Sequence, residues 1–419
     1  MATSYQLPDL LAMGRAFELR TNPHCSRVSL ASSSWVRSLS ILSPQEEEQA
    51  VQMKPGLLVS LCFPTCDVPQ LRLMMDFSTL MMLAEGRVRA GCSPWDGGME
   101  AGRLRGEGEW EEVMGANVLL RHILPSLQRL LSKARPSWKS RFSEYFRQFR
   151  DAQLLLSQST PYPDVETFIE LRRSASGIEL ICEMIEPLHD ISYPDMSMGV
   201  MGERRREGEG LVRKLRQRTG DIVAWSGDIA AHNHTQSLTT SPPTLVSLLQ
   251  STRSIPLQSA IDHAASLTRQ SLDVFIDTER LLKAGPVPTP PTLAPARKPR
   301  PKSHIARVSG TWNWFFSGPT DSAASSSAPD LDPIDEPRRR SLMLERPSFS
   351  HKHDSSWWSS VEEEEDVRVY VEALKDCIVG TLNWLYENEV YFGDKADEVK
   401  QYGWVFLKPK QGALGVGQT

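Results

Sequence analysis

Apolar residues along this chain recur mainly at helical spacing. Between Gly115 and Ala134 they fall at Val118, Leu119, Ile123, Leu127, Leu130 and Leu131, with His122 among them, and Pro125 inside the stretch predicts a kink or a break. Ser137–Ser157 repeats the pattern through Trp138, Phe142, Tyr145, Phe146, Phe149 and Leu154–Leu156. Pro161-Tyr162-Pro163-Asp164 stops that element, and Asp164 is placed to cap the next. Phe168, Leu171, Ala175, Ile178, Cys182, Ile185 and Leu188 then continue a single apolar face. Much later, Glu362–Asp366 sets acids at a helix start, where they suit the dipole. Tyr370, Leu374, Cys377, Ile378, Leu382 and Leu385 extend that helix. Strand signals are sparse, and the apolar run Leu57–Cys62 has neighbours that read as helix. The pattern predicts an all-α fold.

Residues 283–360 interrupt it. Pro286, Pro288, Pro290, Pro291, Pro295, Pro299 and Pro301 prevent a continuous helix, and Ser322–Ser327 is low in complexity. This tract is expected to be a disordered insertion. Trp312–Phe316 inside it reads as an apolar patch or as a short interaction motif. Residues 1–282 then form the first part of a helical domain, 361–408 complete the same domain, and 409–419 form a flexible tail.

Composition narrows the function classes. With 419 residues, 40% apolar and 24% charged, the chain can bury a large core. A formal net charge of -5 argues against a nucleic-acid-binding surface over the whole molecule. The six cysteines have neither disulfide nor zinc spacing, which suits a reducing compartment and a cytoplasmic protein. Met1–Gln6 lacks the basic start of a signal peptide, and no run of about 18 apolar residues suggests a membrane span.

Four local motifs carry chemistry. Glu170-Leu171-Arg172-Arg173 is followed by Ser176-Gly177; Cys62–Asp67 leads through Asp76-Phe77 to Glu85-Gly86-Arg87-Val88-Arg89-Ala90; Thr219–Ile229 contains Trp225-Ser226-Gly227-Asp228; and Gly380–Trp384 precedes Val390-Tyr391-Phe392-Gly393. In this order they resemble the class I terpene synthases of the fungal, basidiomycete-type sesquiterpene cyclase family. Arg20–His24 and Ser33–Val36 resemble that family's first helix and a lid-side strand of chain.

The resemblance implies a helical bundle in which farnesyl diphosphate, or another prenyl diphosphate, is ionised and cyclised with release of diphosphate. It also implies Mg2+ as cofactor, since the leaving group must be neutralised by cations held on oxygen ligands. By the same resemblance Arg173 senses the diphosphate beside Arg172, Tyr391 donates to a diphosphate oxygen, and Ser176 and Gly177 form the helix break that transmits binding. Lys395 is a further phosphate-facing candidate. For metal, the family's positions leave Glu85, Asp228 and Thr235. Gly86 replaces a second acid, Arg89 and Ala90 stand at the distal acids, and Gly227 and Ala231 replace an amide and a hydroxyl. Val390 stands where an arginine is expected and cannot donate to phosphate.

Taken without the family, Glu85 is equally a solvated surface acid, Tyr391 a core aromatic, and Glu203–Glu207 a solvated insertion. An offset set, Asp228, His232 and Gln236, shares the i, i+4, i+8 spacing but points about 100° away on an ideal helix. Three readings follow: a working cyclase, a catalytically impaired relative that binds a ligand or partner, or a mis-assembled version of an active chain. A transcript covering residues 84–110 and 283–360 separates the third from the others.

Overall fold

In a computed structural model the described residues are 3–89, 109–157, 164–192, 203–238, 243–286 and 356–410. They form α1 (Leu10–Gly14), α2 (Cys25–Ser38), α3 (Pro44–Gln52), α4 (Pro55–Cys62), α5 (Val68–Arg89), α6 (Glu109–Ala116), α7 (Leu124–Leu131) and α8 (Pro136–Ser157). The second half contributes α9 (Val165–Ala175), α10 (Ile178–His189), α11 (Glu203–Thr235), α12 (Leu245–Arg253), α13 (Leu257–Ala284), α14 (Val361–Glu387), α15 (Glu389–Phe392) and α16 (Ala396–Tyr402). The chain is all-α apart from one small ribbon: β1 (Ser4–Gln6) pairs antiparallel with β2 (Trp404–Phe406), Tyr5 opposite Val405. Residues 1–286 and 356–419 make one compact unit.

Helix α11 is the spine, packed against α9, α10, α12, α13 and α14. It buries Ile222, Ala224, Trp225, Ile229 and Ala230. Its first residues, Glu203–Glu207, are helical, so this run opens the longest helix among the described residues instead of forming an irregular insertion. Ser33–Val36 likewise lie within α2, as helix and not as a strand of chain. The stretch Gly115–Ala134 is broken earlier than Pro125. Asn117 accepts from the Leu119 and Leu120 amides at 2.9 and 3.0 Å, and a short 3-10 turn, Leu120–His122, follows before α7. Pro125 then sits in the first turn of α7, where its missing N–H is harmless.

Both rims of the interrupting tract belong to the folded unit. Lys283 and Ala284 finish α13, and the Trp357 indole donates to the Leu282 carbonyl at 3.0 Å. The remainder of that expected insertion (287–355, with Trp312–Phe316), Pro161–Pro163, Ala90 and the tail from 411 lie outside the described residues. Among the described residues no helix is long and apolar enough to cross a membrane.

The β-ribbon ties the chain's two ends over the C-terminal end of α11. Tyr5 packs edge-on against His232, ring centroids 5.8 Å apart, and His232 Nδ1 is buried without a hydrogen bond. Burial holds the imidazole down at about 4, opposed only weakly by Asp228. Because the folded value lies below the ordinary 6.5, stability is complete above 6.5 and declines as pH falls toward 4. Denaturant midpoints measured between those pH values are expected to reveal a loss of about 3 kcal/mol at the acid end, and a much shallower loss in His232→Phe.

Candidate active site

The helices enclose a cavity of about 880 Å³, within the size range of small-molecule sites. Several helices build its wall. From α5, Phe77, Ser78, Met81, Met82, Glu85 and Gly86 recur one turn apart on a single face. From α11 come Val223, Ala224, Gly227, Asp228, Ala231, His234 and Thr235. The α9–α10 junction gives Arg172, Ser176, Gly177, Ile178 and Ile181, and the C-terminal part gives Thr381, Trp384, Leu385, Val390 and Tyr391. Asp76, next to Phe77, is turned out of the cavity, accepting from Ser32 Oγ at 2.5 Å and from Arg72 Nε at 2.8 Å.

The α9–α10 junction is a true break. Asp164 caps α9 by accepting from the Thr167 amide at 2.6 Å, and the helix ends at Ala175. Ser176 Oγ then donates to the Arg173 carbonyl at 2.7 Å. Gly177 takes φ +69°, a left-handed conformation that side chains resist, and a Cβ there would approach Phe149 to 3.2 Å. Glycine is therefore the residue that lets the chain turn at the cavity wall.

The two adjacent arginines separate. Arg172 lines the cavity, and its Nε and Nη2 donate to Asp228 Oδ1 at 3.0 and 2.9 Å. Asp228 Oδ2 accepts from the Leu245 amide at 2.8 Å, so this carboxylate joins α9, α11 and α12. Arg173 is not among the described cavity residues; its Nε and Nη2 donate to the two oxygens of Asp221 at 2.5 and 3.2 Å. Arg218 also donates to Asp221 Oδ2 at 2.8 Å. Of the two arginines, Arg172 lines the cavity and Arg173 does not. Lys395 pairs with Glu398 at 2.9 Å and does not line the cavity.

Glu85, Gly86, Gly227, Asp228, Ala231, Thr235, Val390 and Tyr391 all reach this one cavity. Of the offset set, His232 and Gln236 do not. His232 turns to Tyr5, and Gln236 Nε2 donates to the Lys408 carbonyl at 2.8 Å. Lys408 had no signal in the sequence, because it follows the last helix and shares no periodicity with it. Lys408 lines the cavity, its Nζ donates to the Val390 carbonyl at 3.3 Å, and burial pulls this amine below its ordinary range.

This arrangement suits a mostly apolar guest. Phe63, Phe77, Phe149, Trp384 and Tyr391 present rings, and Met53, Met81 and Met82 give adaptable walls. The described side chains do not suit a divalent ion. Asp228 has hydrogen bonds to both oxygens, and the Thr235 hydroxyl donates to the His232 carbonyl at 3.2 Å. Gly227 and Ala231 offer no oxygen from their side chains. Among the described residues no cluster of three or more His, Cys, Asp or Glu could hold a metal ion.

A helical bundle around a largely apolar cavity, with a broken helix at its wall, fits the resemblance to class I terpene synthases. A family model described as terpene synthase family 2, C-terminal metal binding, matches residues 99–273. Sesquiterpene synthase Agr1 of Cyclocybe aegerita is 26% identical over 413 residues, covering 97% of this chain and 93% of that protein. Sesquiterpene synthase 6 of Postia placenta is 23% identical over 415 residues, covering 97% and 96%. Among solved structures, germacradien-4-ol synthase from Streptomyces citricolor superposes with a TM-score of 0.56 at 16% identity, covering 91% of this chain and 98% of that one. Wild-type cucumene synthase gives 0.55 at 16% identity, covering 88% and 98%. These similarities support a terpene synthase-like protein related to the fungal sesquiterpene synthases. The matched model is described as a metal-binding one, which implies a divalent metal cofactor.

Proposed function

We propose that this protein is a sesquiterpene synthase homologue that keeps the isoprenoid cavity and has lost most of the metal-dependent ionisation of farnesyl diphosphate. One observation supports the reading: Gly86, Gly227, Ala231 and Thr235, which the resemblance puts at the family's ligand positions, all line the cavity. Mg2+ would be held there by carboxylate, amide and hydroxyl oxygens, and this set supplies almost none.

The chain's own residues still do part of the family's work. Aromatic and methionine side chains exclude water and shape a folded prenyl chain. The Arg172 guanidinium and the Tyr391 hydroxyl would donate to oxygens at the polar end. Arg172, however, must first be drawn from Asp228.

The test is incubation of the purified protein with farnesyl diphosphate and Mg2+, followed by analysis of volatiles. The expected result is no cyclic hydrocarbon or prenyl alcohol above a protein-free control. Multiple-turnover formation of a sesquiterpene would show that the ionising machinery survives.

A further inference from the structure

Three large apolar side chains stand in the open at one place, the end of α16 and the strand that follows it. Tyr402, Trp404 and Phe406 are 61%, 51% and 73% exposed. Alternation in β2 explains the arrangement: Val405 turns inward and is buried, so Trp404 and Phe406 share the outward face. Clustered exposed rings of this kind mark interaction sites. A further strand is not their partner. On one side β2 pairs with β1, where the Leu7 and Leu407 amides donate to the Gly403 and Thr3 carbonyls at 2.6 and 3.0 Å. On the other side Asn233 of α11 donates to the Phe406 carbonyl at 3.0 Å and accepts from the Lys408 amide at 2.8 Å. The outer edge is thus capped from Phe406 to Lys408, which blocks strand addition and leaves the ring-bearing face.

The charges beside the rings select the occupant. From Val399 to Thr419 the sequence carries Lys400, Lys408 and Lys410 and no acid. Lys410 follows the rings closely and is exposed. Lys400 is held by Glu387 at 3.3 Å, and the acids Asp397 and Glu398 stand in the first turn of α16, at the opposite end from Tyr402. Across the ribbon, β1 is Ser4-Tyr5-Gln6 and carries no charged side chain. Trp and Tyr rings beside lysine suit a membrane–water interface, where the rings sit at headgroup level and the lysine meets anionic lipid. We propose that Tyr402, Trp404, Phe406 and Lys410 form a docking surface for an anionic lipid bilayer, which holds the protein at the membrane without crossing it. The rings enter the headgroup layer, and the Lys410 ammonium meets its negative charge. Lys408, two residues beyond Phe406, lines the cavity. Docking by this face therefore brings the cavity wall near the bilayer, the phase in which an apolar guest dissolves.

The experiment is co-sedimentation of the full chain with phosphatidylcholine vesicles and with vesicles in which about 30% of the lipid is phosphatidylserine. The unaltered chain is expected to sediment with the anionic vesicles and to be released as salt is raised. The double variant Trp404→Thr, Phe406→Thr keeps residues suited to a strand. It should retain the circular dichroism spectrum and denaturant midpoint, and should lower the partition coefficient at least about 10-fold. Lys410→Gln should lower it about fivefold on the anionic vesicles alone. Absence of binding to anionic vesicles, equal binding to both kinds, or binding that survives the ring substitutions overturns the proposal. So does a concentration-dependent dimer in vesicle-free ultracentrifugation that the ring substitutions abolish, since the rings would then face a second copy of the chain.

Discussion

A variant carrying Gly86→Asp, Gly227→Asn, Ala231→Ser and Thr235→Glu is expected to release diphosphate from farnesyl diphosphate, with Mg2+, at least about 100-fold faster than the unaltered chain. Removing one group that stabilises developing charge in a transition state typically costs about 3–4 kcal/mol, so regaining even one well-placed ligand exceeds that factor. The geometry permits it. A Cβ built on Gly86 or on Gly227 meets no atom within 4 Å, and both residues line the cavity. Gly227, Ala231 and Thr235 recur every fourth residue on one face of α11, so restored oxygens would converge on a common point. The measurement is a coupled diphosphate assay on both proteins. If the folded variant is no faster, the four positions are not what limits the reaction.

The second large effect is on stability. Arg216 is buried on α11, where its guanidinium pairs with Glu179 and Glu183 and donates to the Glu179 carbonyl at 2.9 Å. It also lies over the Tyr145 ring, 4.3 Å from the centroid. Arg141 meets the same carboxylate group, 3.4 Å from Glu183 and in contact with Glu186. Arg216→Ala leaves Glu183, almost wholly inaccessible, short of its main partner. Breaking a buried pair by removing one member costs about 3–5 kcal/mol, so chemical denaturation should show a loss of that size. The triple change Arg216→Met, Glu179→Leu, Glu183→Leu should recover most of it, because replacing the whole charged set by apolar residues is often neutral or better. An Arg216→Ala midpoint unchanged from wild type would contradict the role assigned to this network in joining α8, α10 and α11.

Much of the bundle was legible because each long helix shows its buried face as a 3.6-residue repeat. Ser137–Ser157 and the helix beginning at Asp164 lie where the apolar spacing puts them. Three features were not. The β1–β2 ribbon uses strands of three residues, too short to show alternation. The break at Asn117 depends on one amide side chain capping two backbone N–H groups, and nothing in the flanking periodicity announces it. The division of labour between Arg172 and Arg173 is set by Asp228 and Asp221 on a different helix. Neighbours on a helix point about 100° apart, so one faces the cavity and the other does not, and only tertiary packing decides which. The positions on α5 and α11 that the resemblance singled out line the cavity. Lys408 was not legible, since it reaches the cavity from the segment after β2.

The central claim is that the cavity face can no longer gather divalent ions around a diphosphate. Its most direct test is a titration of the full chain with Mn2+ in the presence of inorganic diphosphate, following the free-ion electron paramagnetic resonance signal. The signal is expected to match a protein-free control at every ratio. A protein-dependent loss of one or more equivalents of free Mn2+, abolished by Arg172→Ala or by a bulky residue at Gly227, would contradict it.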